Sequence, residues 1–260
     1  MPKRLNKLIL SAFVLAAAAV TPACKKGGAE ITAPEPPTYD NPFDELKDMP
    51  NQANAQIEWV KQPLVDASNL GAEFEALKAK FNFDIEQFGG MVSAAFTEGK
   101  IEVTVDLSAV GDVAAEAKAE VEAFLNKVKA SGEAVLTIPK RAKMAASAIG
   151  KMPLKAPTLA TKATSYLKAE ISNATAEVKA ELEAKLGEIP TLVTNVKNMA
   201  PDAVAKVKAV PQESQQIIAD LKAAFAGKGS FPSIPGGSGS AEFSAEASVD
   251  AEAGADAAAE

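Results

Sequence analysis

Cys24 carries the most distinctive reactive group of this chain, because it is the single thiol among 260 residues that contain no histidine. One cysteine cannot form an intramolecular disulfide or a cysteine-based zinc or iron–sulfur site. Without histidine, the chain has no Ser-His-Asp triad, no Cys-His pair and no imidazole ligand for a metal. The chemistry left for Cys24 is modification of the thiol itself.

Carboxylates are the other groups that could transfer protons, but their spacing does not bring them together. Pairs such as Glu73/Glu75 and Asp84/Glu86 are two residues apart, so the two side chains do not share a helix face. No segment has the ligand spacing of an EF-hand, and the Gly-Gly pairs lack that of a phosphate-binding loop. The sequence therefore predicts no catalytic, cofactor-binding or metal-binding residues, no small-molecule substrate and no enzymatic activity.

The residues before Cys24 have the order of a secretory signal peptide. Lys3, Arg4 and Lys7 form a positive region, and an uncharged run follows from Leu8 to Val20. As a helix this run would rise about 20 Å, which is too short for a hydrocarbon core of roughly 30 Å. We therefore predict that residues 1–23 are a cleaved signal peptide.

With Cys24 directly after that segment, the N-terminus resembles that of bacterial lipoproteins, and the resemblance covers residues 1–28. It implies that the Cys24 thiol carries diacylglycerol and that this residue is the acylated N-terminus of an exported protein, held in the membrane by lipid. Lys25 follows the cysteine, which in this family implies the outer membrane, facing the periplasm, more than the inner membrane. Residues 21–23 would also serve an ordinary signal peptidase, so a soluble secreted protein with a free thiol is the alternative.

The charge of the mature chain argues against nucleic acid as a partner. Without residues 1–23 there are 24 basic and 34 acidic residues, a net charge of −10, and Arg141 is the only arginine. A net negative chain repels phosphate backbones, and bidentate phosphate recognition needs arginine. The partners that we predict are the membrane, through the acyl chains, and an envelope protein.

Composition divides the mature chain into three segments. Residues 24–43 are predicted to be the acylated N-terminus and a proline-rich tether, because proline-rich segments are extended and semi-rigid. Residues 44–226 are predicted to be a helical domain, because alanine, present 53 times, is the strongest helix former. Residues 227–260 are predicted to be disordered. A Gly/Ser stretch leads there into Ala241–Glu260, an alanine-rich tail with six acidic and no basic residues.

The predicted fold class is mainly α, with elongated or bundled amphipathic helices, and its thickest core is an apolar stripe. The stripe recurs at steps of three or four residues, as one helix face requires. Its members are Leu70, Phe74, Leu77, Phe81, Ile85, Phe88, Val92 and Phe96. Gly89-Gly90 should weaken or kink this helix by roughly 1 kcal/mol per glycine. At the start of the domain we predict Asp44 as a helix N-cap, and Pro63 as a point where one helix is interrupted or another begins.

Residues 101–107 alternate apolar and polar side chains, which is the period of a strand. Asp112 is predicted to cap the next helix and Gly132 to end it. Residues 134–138 form a second short apolar segment before Pro139, so the two segments could pair as a minor two-strand element. The alternative is that both are connectors in a helical protein, because two isolated strands are marginal.

From Leu159 onward, apolar residues recur every 11 residues. One such series is Leu167, Val178, Ile189 and Ala200. Eleven residues in three turns keep one face on a nearly straight helix. Pro190, Pro201 and Pro211 each fit a first helical turn, so we expect helices of one to three turns or one long helix with a kink at each proline.

This period with proline punctuation resembles that of the lipid-surface helices of exchangeable apolipoproteins and lipid-droplet coat proteins. The resemblance implies an amphipathic lipid-binding protein of the periplasm or envelope. Packing between helices of one chain is the other interpretation, and we favour it because Ala/Val faces bury little area at about 25 cal/mol per Å². The predicted function is a non-enzymatic structural or protein-interaction module of the envelope, with lipid binding as the alternative.

Charge is segregated along the domain, with −9 over residues 44–133 and +7 over residues 134–169. We predict that residues 140–168 lie against the acidic N-terminal helices. A contact for an acidic partner or for anionic lipid headgroups is the alternative. Pro139, Pro153 and Pro157 lie in this basic stretch and argue against a regular helix there.

Overall fold

A computed structural model describes residues 31–81, 84–97, 100–106 and 115–233, all within one unit of the chain, residues 31–260. These described residues form six helices and one two-stranded antiparallel sheet. The prediction of a mainly α fold with a minor two-strand element is confirmed. Residues 234–260 of the predicted tail lie outside the described residues.

Three long helices, α1, α5 and α6, pack against one another, and the shorter elements pack on α4 and on the end of α6. In chain order the elements are α1 (Pro42–Ser68), α2 (Leu70–Phe81), α3 (Ile85–Met91), β1 (Val92–Thr97), β2 (Lys100–Val105), α4 (Ala115–Leu136), α5 (Ile138–Asn173) and α6 (Ala176–Phe225).

A stripe of buried side chains runs along α5, the helix that packs on both α1 and α6. Its members are Ile138, Ala142, Ala145, Ile149, Met152, Ala156, Leu159, Ala163 and Leu167. Steps of three and four residues keep them on one face, and the alanines let helix axes approach closely. From the 11-residue series on α6, Ile189 and Ala200 are also buried, whereas Val178 is 48% exposed. The repeats therefore lie largely within the core of the chain.

Prolines lie inside the long helices without ending them. Pro153 and Pro157 are interior to α5, and Pro190, Pro201 and Pro211 are interior to α6. The prediction that the basic stretch is not a regular helix is wrong, and residues 190–211 follow the alternative of one long helix. Where the proline is exposed, as at Pro157 and Pro190, the carbonyl one turn earlier lies on the same, solvent side and can bond to water. Burial of the facing stripes offsets the roughly 3 kcal/mol that an interior proline costs.

The first helix begins earlier than predicted, because its N-cap is Asn41 and not Asp44. The Asn41 side chain accepts a hydrogen bond of 2.9 Å from the backbone N–H of Asp44. Pro42 occupies the first turn, where its missing N–H is not needed. Pro63 is buried inside α1, so it neither interrupts this helix nor starts another.

The hairpin uses the predicted strand but pairs it with a segment predicted to be helical. β1 and β2 run antiparallel, with Val92 opposite Val105 and Phe96 opposite Ile101. The strand prediction is confirmed over residues 101–105, and residue 107 lies outside the described residues. The assignment of Val92 and Phe96 to a helix is wrong. Val92, Ala94 and Phe96 also alternate with polar or small residues, so the same residues fit both the helix and the strand period.

Residues 134–138 do not form the predicted second strand, because α4 continues to Leu136 and Ile138 already belongs to α5. Gly132 therefore does not end a helix. A Cβ at Gly132 would lie 2.3 Å from Cδ1 of Ile101, so this glycine makes room for β2 against α4. The predicted cap Asp112 lies outside the described residues.

Phenylalanines from separate elements meet in an aromatic cluster, formed by Phe74, Phe88, Phe124, Phe225 and Phe231. The ring centroid of Phe231 lies 4.8 Å from that of Phe74 and 5.1 Å from that of Phe124. Phe231 is 1% exposed, although the predicted disordered segment begins at residue 227. The residues up to 233 instead fold back onto the core, so the boundary at 227 is placed too early.

The turn after α6 contacts the backbone of α3 closely, and this contact requires glycine at position 89. Gly89 is the first glycine of the pair that is predicted to weaken the helix. Gly227 has a φ of 69°, a left-handed conformation that favours glycine. A Cβ on Gly89 would lie 2.3 Å from the backbone N and Cα of Gly227. At Gly90, the next residue, a Cβ would meet nothing within 4 Å.

This contrast predicts opposite effects of two adjacent substitutions. Gly89→Ala should lower the free energy of unfolding by about 1–3 kcal/mol, because the new methyl group displaces the Gly227 turn. Gly90→Ala should leave it unchanged or raise it by up to about 1 kcal/mol, because alanine is the better helix former. Denaturant unfolding followed by circular dichroism measures both, and equal effects would contradict the contact.

Candidate functional site

The predicted lipidation site, Cys24, precedes the residues that the structure describes. The first described segment, residues 31–41, is the second half of the predicted tether, and it lies along α1. The Gln56 side-chain amide donates a hydrogen bond of 3.2 Å to the Pro34 carbonyl. The Tyr39 hydroxyl donates to the carboxylate of Asp48 and accepts a bond of 3.0 Å from Gln52. Residues 31–41 are therefore a docked segment and not a free spacer.

The direction of the docked segment follows from these contacts. Pro34 meets α1 at Gln56, and Tyr39 meets it at Asp48, so the segment runs antiparallel to the helix. Burial raises the pKa of Tyr39 from 10.0 to about 12, and the hydrogen bond to Asp48 and its negative charge add to the effect. Sequence patterns did not mark Tyr39, because a single aromatic in a proline-rich segment has no periodicity.

The most distinctive surface of the described residues is a basic face on α5, which we define as Lys140, Lys143, Lys151 and Lys162. All four side chains are exposed, and they lie on the side opposite the buried stripe. Within the described part of the chain, none of the four has an ion-pair partner. Leu154, on the same side of the helix, is 78% exposed.

Two other basic residues of α5 do contact the acidic N-terminal helix. Lys155 forms an ion pair with Glu45. Arg141 donates a hydrogen bond of 3.1 Å to the Trp59 carbonyl, and its guanidinium carbon lies 5.2 Å from the centroid of the Trp59 ring. The predicted docking of residues 140–168 on the acidic helix therefore holds for these two side chains, while the basic face of α5 points away from it.

Arg141 is held by packing as much as by charge. It also donates a bond of 3.0 Å to the Thr137 hydroxyl. Burial lowers the pKa of Arg141, and the nearby negative charge of Asp66 partly offsets that shift. The sequence marked Arg141 as the only mature arginine, but its partner, Trp59, lies 82 residues away and no local signal connects the two.

The remaining surface offers little else for ligand chemistry. Among the described residues, no group of three or more Cys, Asp or Glu side chains is placed to hold a metal ion. A mainly apolar groove of about 380 Å³ lies between the α4–α5 junction and α6, lined in part by Val135, Pro139 and Ile218.

In the described part of the chain, every helix is too short or too polar to span a bilayer.

No family model, curated protein or solved structure matches this chain.

Arg141→Lys should lower the free energy of unfolding by about 1–2 kcal/mol, because lysine keeps the charge but cannot reproduce both hydrogen bonds and the stacking on Trp59. Lys143→Gln, two residues away and exposed, is the matched control and should change it by no more than about 0.5 kcal/mol. The difference should persist at 1 M salt, where surface attraction is screened within about 3 Å. Thermal and denaturant unfolding measure this. Equal effects of the two changes would show that Arg141 is only a surface charge.

Tyr39 should ionise with a midpoint of about 12, measured by phenolate absorbance in a Tyr166→Phe background, since the chain has two tyrosines. The raised pKa means that the fold favours the protonated phenol. This contribution to stability is present below pH 10 and is lost as the pH rises through about 12. Asp48→Asn should lower the midpoint in part, while Glu58→Gln on the same helix should not. A midpoint near 10 in the parent protein would mean that residues 31–41 leave α1.

Proposed function

We propose that this protein is a lipoprotein of the bacterial cell envelope, anchored by acyl chains on Cys24, and that its helical domain is a non-enzymatic structural or protein-interaction module. One observation carries the proposal: a positive N-terminal region, an uncharged run of 13 residues and then the only cysteine of the chain. Acylation gives a lone thiol in an exported chain a defined role. Each buried methylene contributes roughly 0.8 kcal/mol, so two or more chains hold the protein firmly.

The packing of the repeats supports an interaction module over the alternative, lipid binding. An amphipathic lipid-binding helix presents its apolar face to the membrane. In α5 and α6 three of the corresponding residues, Leu167, Ile189 and Ala200, are already buried within the chain, whereas Val178 is exposed. The apolar face of the repeats is therefore largely used for packing between helices.

The small number of residues between the proposed anchor and the docked segment supports a role close to the membrane surface. Seven residues lead from Cys24 to Ile31, and a fully extended chain of that length spans at most about 25 Å. Residues 31–41 add no reach while they lie on α1. An envelope partner would therefore meet this domain near the membrane from which it is anchored.

Mass spectrometry of the mature protein from a bacterial host tests the anchor. We expect a chain that begins at Cys24 and carries a diacylglyceryl thioether and an N-acyl group. Cys24→Ser should remove both and release the protein from the membrane fraction, with an unchanged circular dichroism spectrum and melting temperature. An unmodified Cys24 in membrane-free periplasm would overturn the proposal in favour of a soluble secreted protein.

A further inference from the structure

We infer that the acidic C-terminal segment of this chain, residues 241–260, binds the basic face of α5 in the same molecule. The inference is independent of the lipid anchor and concerns what covers an otherwise uncompensated surface. It rests on the exposed lysines of α5, on the charge of the segment beyond the described residues, and on where the described chain ends.

The lysines of the basic face lie along one side of α5. Lys140, Lys151 and Lys162 are 11 residues apart, which is three helical turns, so they follow one side of the helix over about 33 Å. Lys143 lies one turn from Lys140 and repels it. From Ile138 to Ala169, α5 contains no aspartate or glutamate, so the helix itself supplies no compensating charge.

Some lysines on other helices have a carboxylate partner. On α6, Lys185 pairs with Glu181 one turn away. On α4, Lys127 reaches Glu73 of α2 at 2.9 Å. Lys197, Lys206 and Lys208 of α6 also have no ion pair among the described residues, but their helix carries acidic residues, among them Asp202. The basic face of α5 differs because α5 has no acidic residue from Ile138 to Ala169, in a protein whose mature net charge is −10.

The segment with the complementary charge is at the C-terminus. Its acidic residues are Glu242, Glu246, Asp250, Glu252, Asp256 and Glu260, and it has no basic residue. Most of these carboxylates are four residues apart, so they are distributed along the segment and can meet lysines that are distributed along a helix. Alanine accounts for most of the other residues, and Phe243 is the single aromatic residue of the segment.

The described chain ends on the side of the domain where α5 begins. The Pro232 carbonyl accepts a hydrogen bond of 3.0 Å from Gly71, which places Ser233 beside the start of α2. The ring centroid of Phe231 lies 6.1 Å from that of Phe225 at the end of α6. Lys222 of α6 and Pro139 of α5 line the same groove, so this region adjoins the start of α5. Residues 234–241 can extend about 28 Å from there toward the Lys140 end of the basic face.

The covalent link between the domain and the acidic segment compensates for the weakness of the individual ion pairs. Exposed ion pairs are individually weak and are screened by salt, but a short glycine-rich linker gives the segment an effective concentration in the millimolar range. The segment is then a reversible cover, which another anionic surface or an acidic partner can displace.

Amine reactivity of individual lysines tests the inference in the mature full-length protein. We compare the parent with a variant in which the six tail acids are replaced by their amides, Glu242→Gln through Glu260→Gln and Asp→Asn at 250 and 256. An amine-acylating reagent and peptide mass spectrometry give the rate at each lysine. At low salt the rates on the basic face of α5 should rise by up to about fivefold in the variant, because ion pairing protects the amine. At 1 M salt the difference should vanish.

Lys197, Lys206 and Lys208 of α6 are the matched control, because they are exposed and should react at the same rate in both proteins. A uniform rise that includes these lysines would overturn the inference, since it would reflect a general charge effect. A protection that grows with protein concentration would assign the cover to a second molecule and would also overturn it. Unchanged rates, with equal binding of both proteins to phosphatidylglycerol vesicles, would show that the basic face is open.

Discussion

The contact between α5 and α6 is the interaction on which the rest of this structure depends. Aromatic residues are only 5% of the chain, so the long helices bury alanine, valine, isoleucine and leucine over many turns. Small side chains contribute little area each, and the contact becomes sufficient through its length and through the close approach of the two backbones. That length in turn requires the prolines to be tolerated inside the helices. The aromatic cluster around Phe231 covers the core at the C-terminal end of α6.

Local patterns in the sequence predict the fold class and several elements correctly, and they fail where a distant contact decides. The helical composition and the alternation at residues 101–105 are sufficient for a mainly α fold with one strand. They do not reveal that Val92 and Phe96 pair with that strand, because the same residues satisfy a helical period. Gly132 has the sequence signature of a helix end. The structure instead requires glycine there because the side chain of Ile101, 31 residues earlier, occupies the space of a Cβ. Phe231 lies in a segment whose composition predicts disorder, and only its aromatic neighbours from other helices explain its burial.

The candidate sites also differ in whether local sequence or tertiary structure determines them. Cys24 is predicted by its position behind the uncharged run, and that argument needs no tertiary structure. The basic stretch of α5 is equally visible in the sequence, but the direction of each side chain depends on the phase of the helix. Arg141 and Lys155 therefore contact α1, while Lys140, Lys143, Lys151 and Lys162 face solvent. A helix broken at Pro153 would have no such common phase, so the continuous helix creates the basic face.

The antiparallel course of residues 31–41 on α1 has a mechanical consequence. Tension applied to the N-terminal end of this segment loads its contacts one after another, beginning at Pro34 and Gln56 and reaching Tyr39 and Asp48 later. Contacts that open in sequence yield at lower force than contacts sheared together. The segment can thus separate from the helix and add up to about 35 Å of extended chain before the load reaches the core. The extension is reversible, because the segment and α1 remain covalently joined at Asn41.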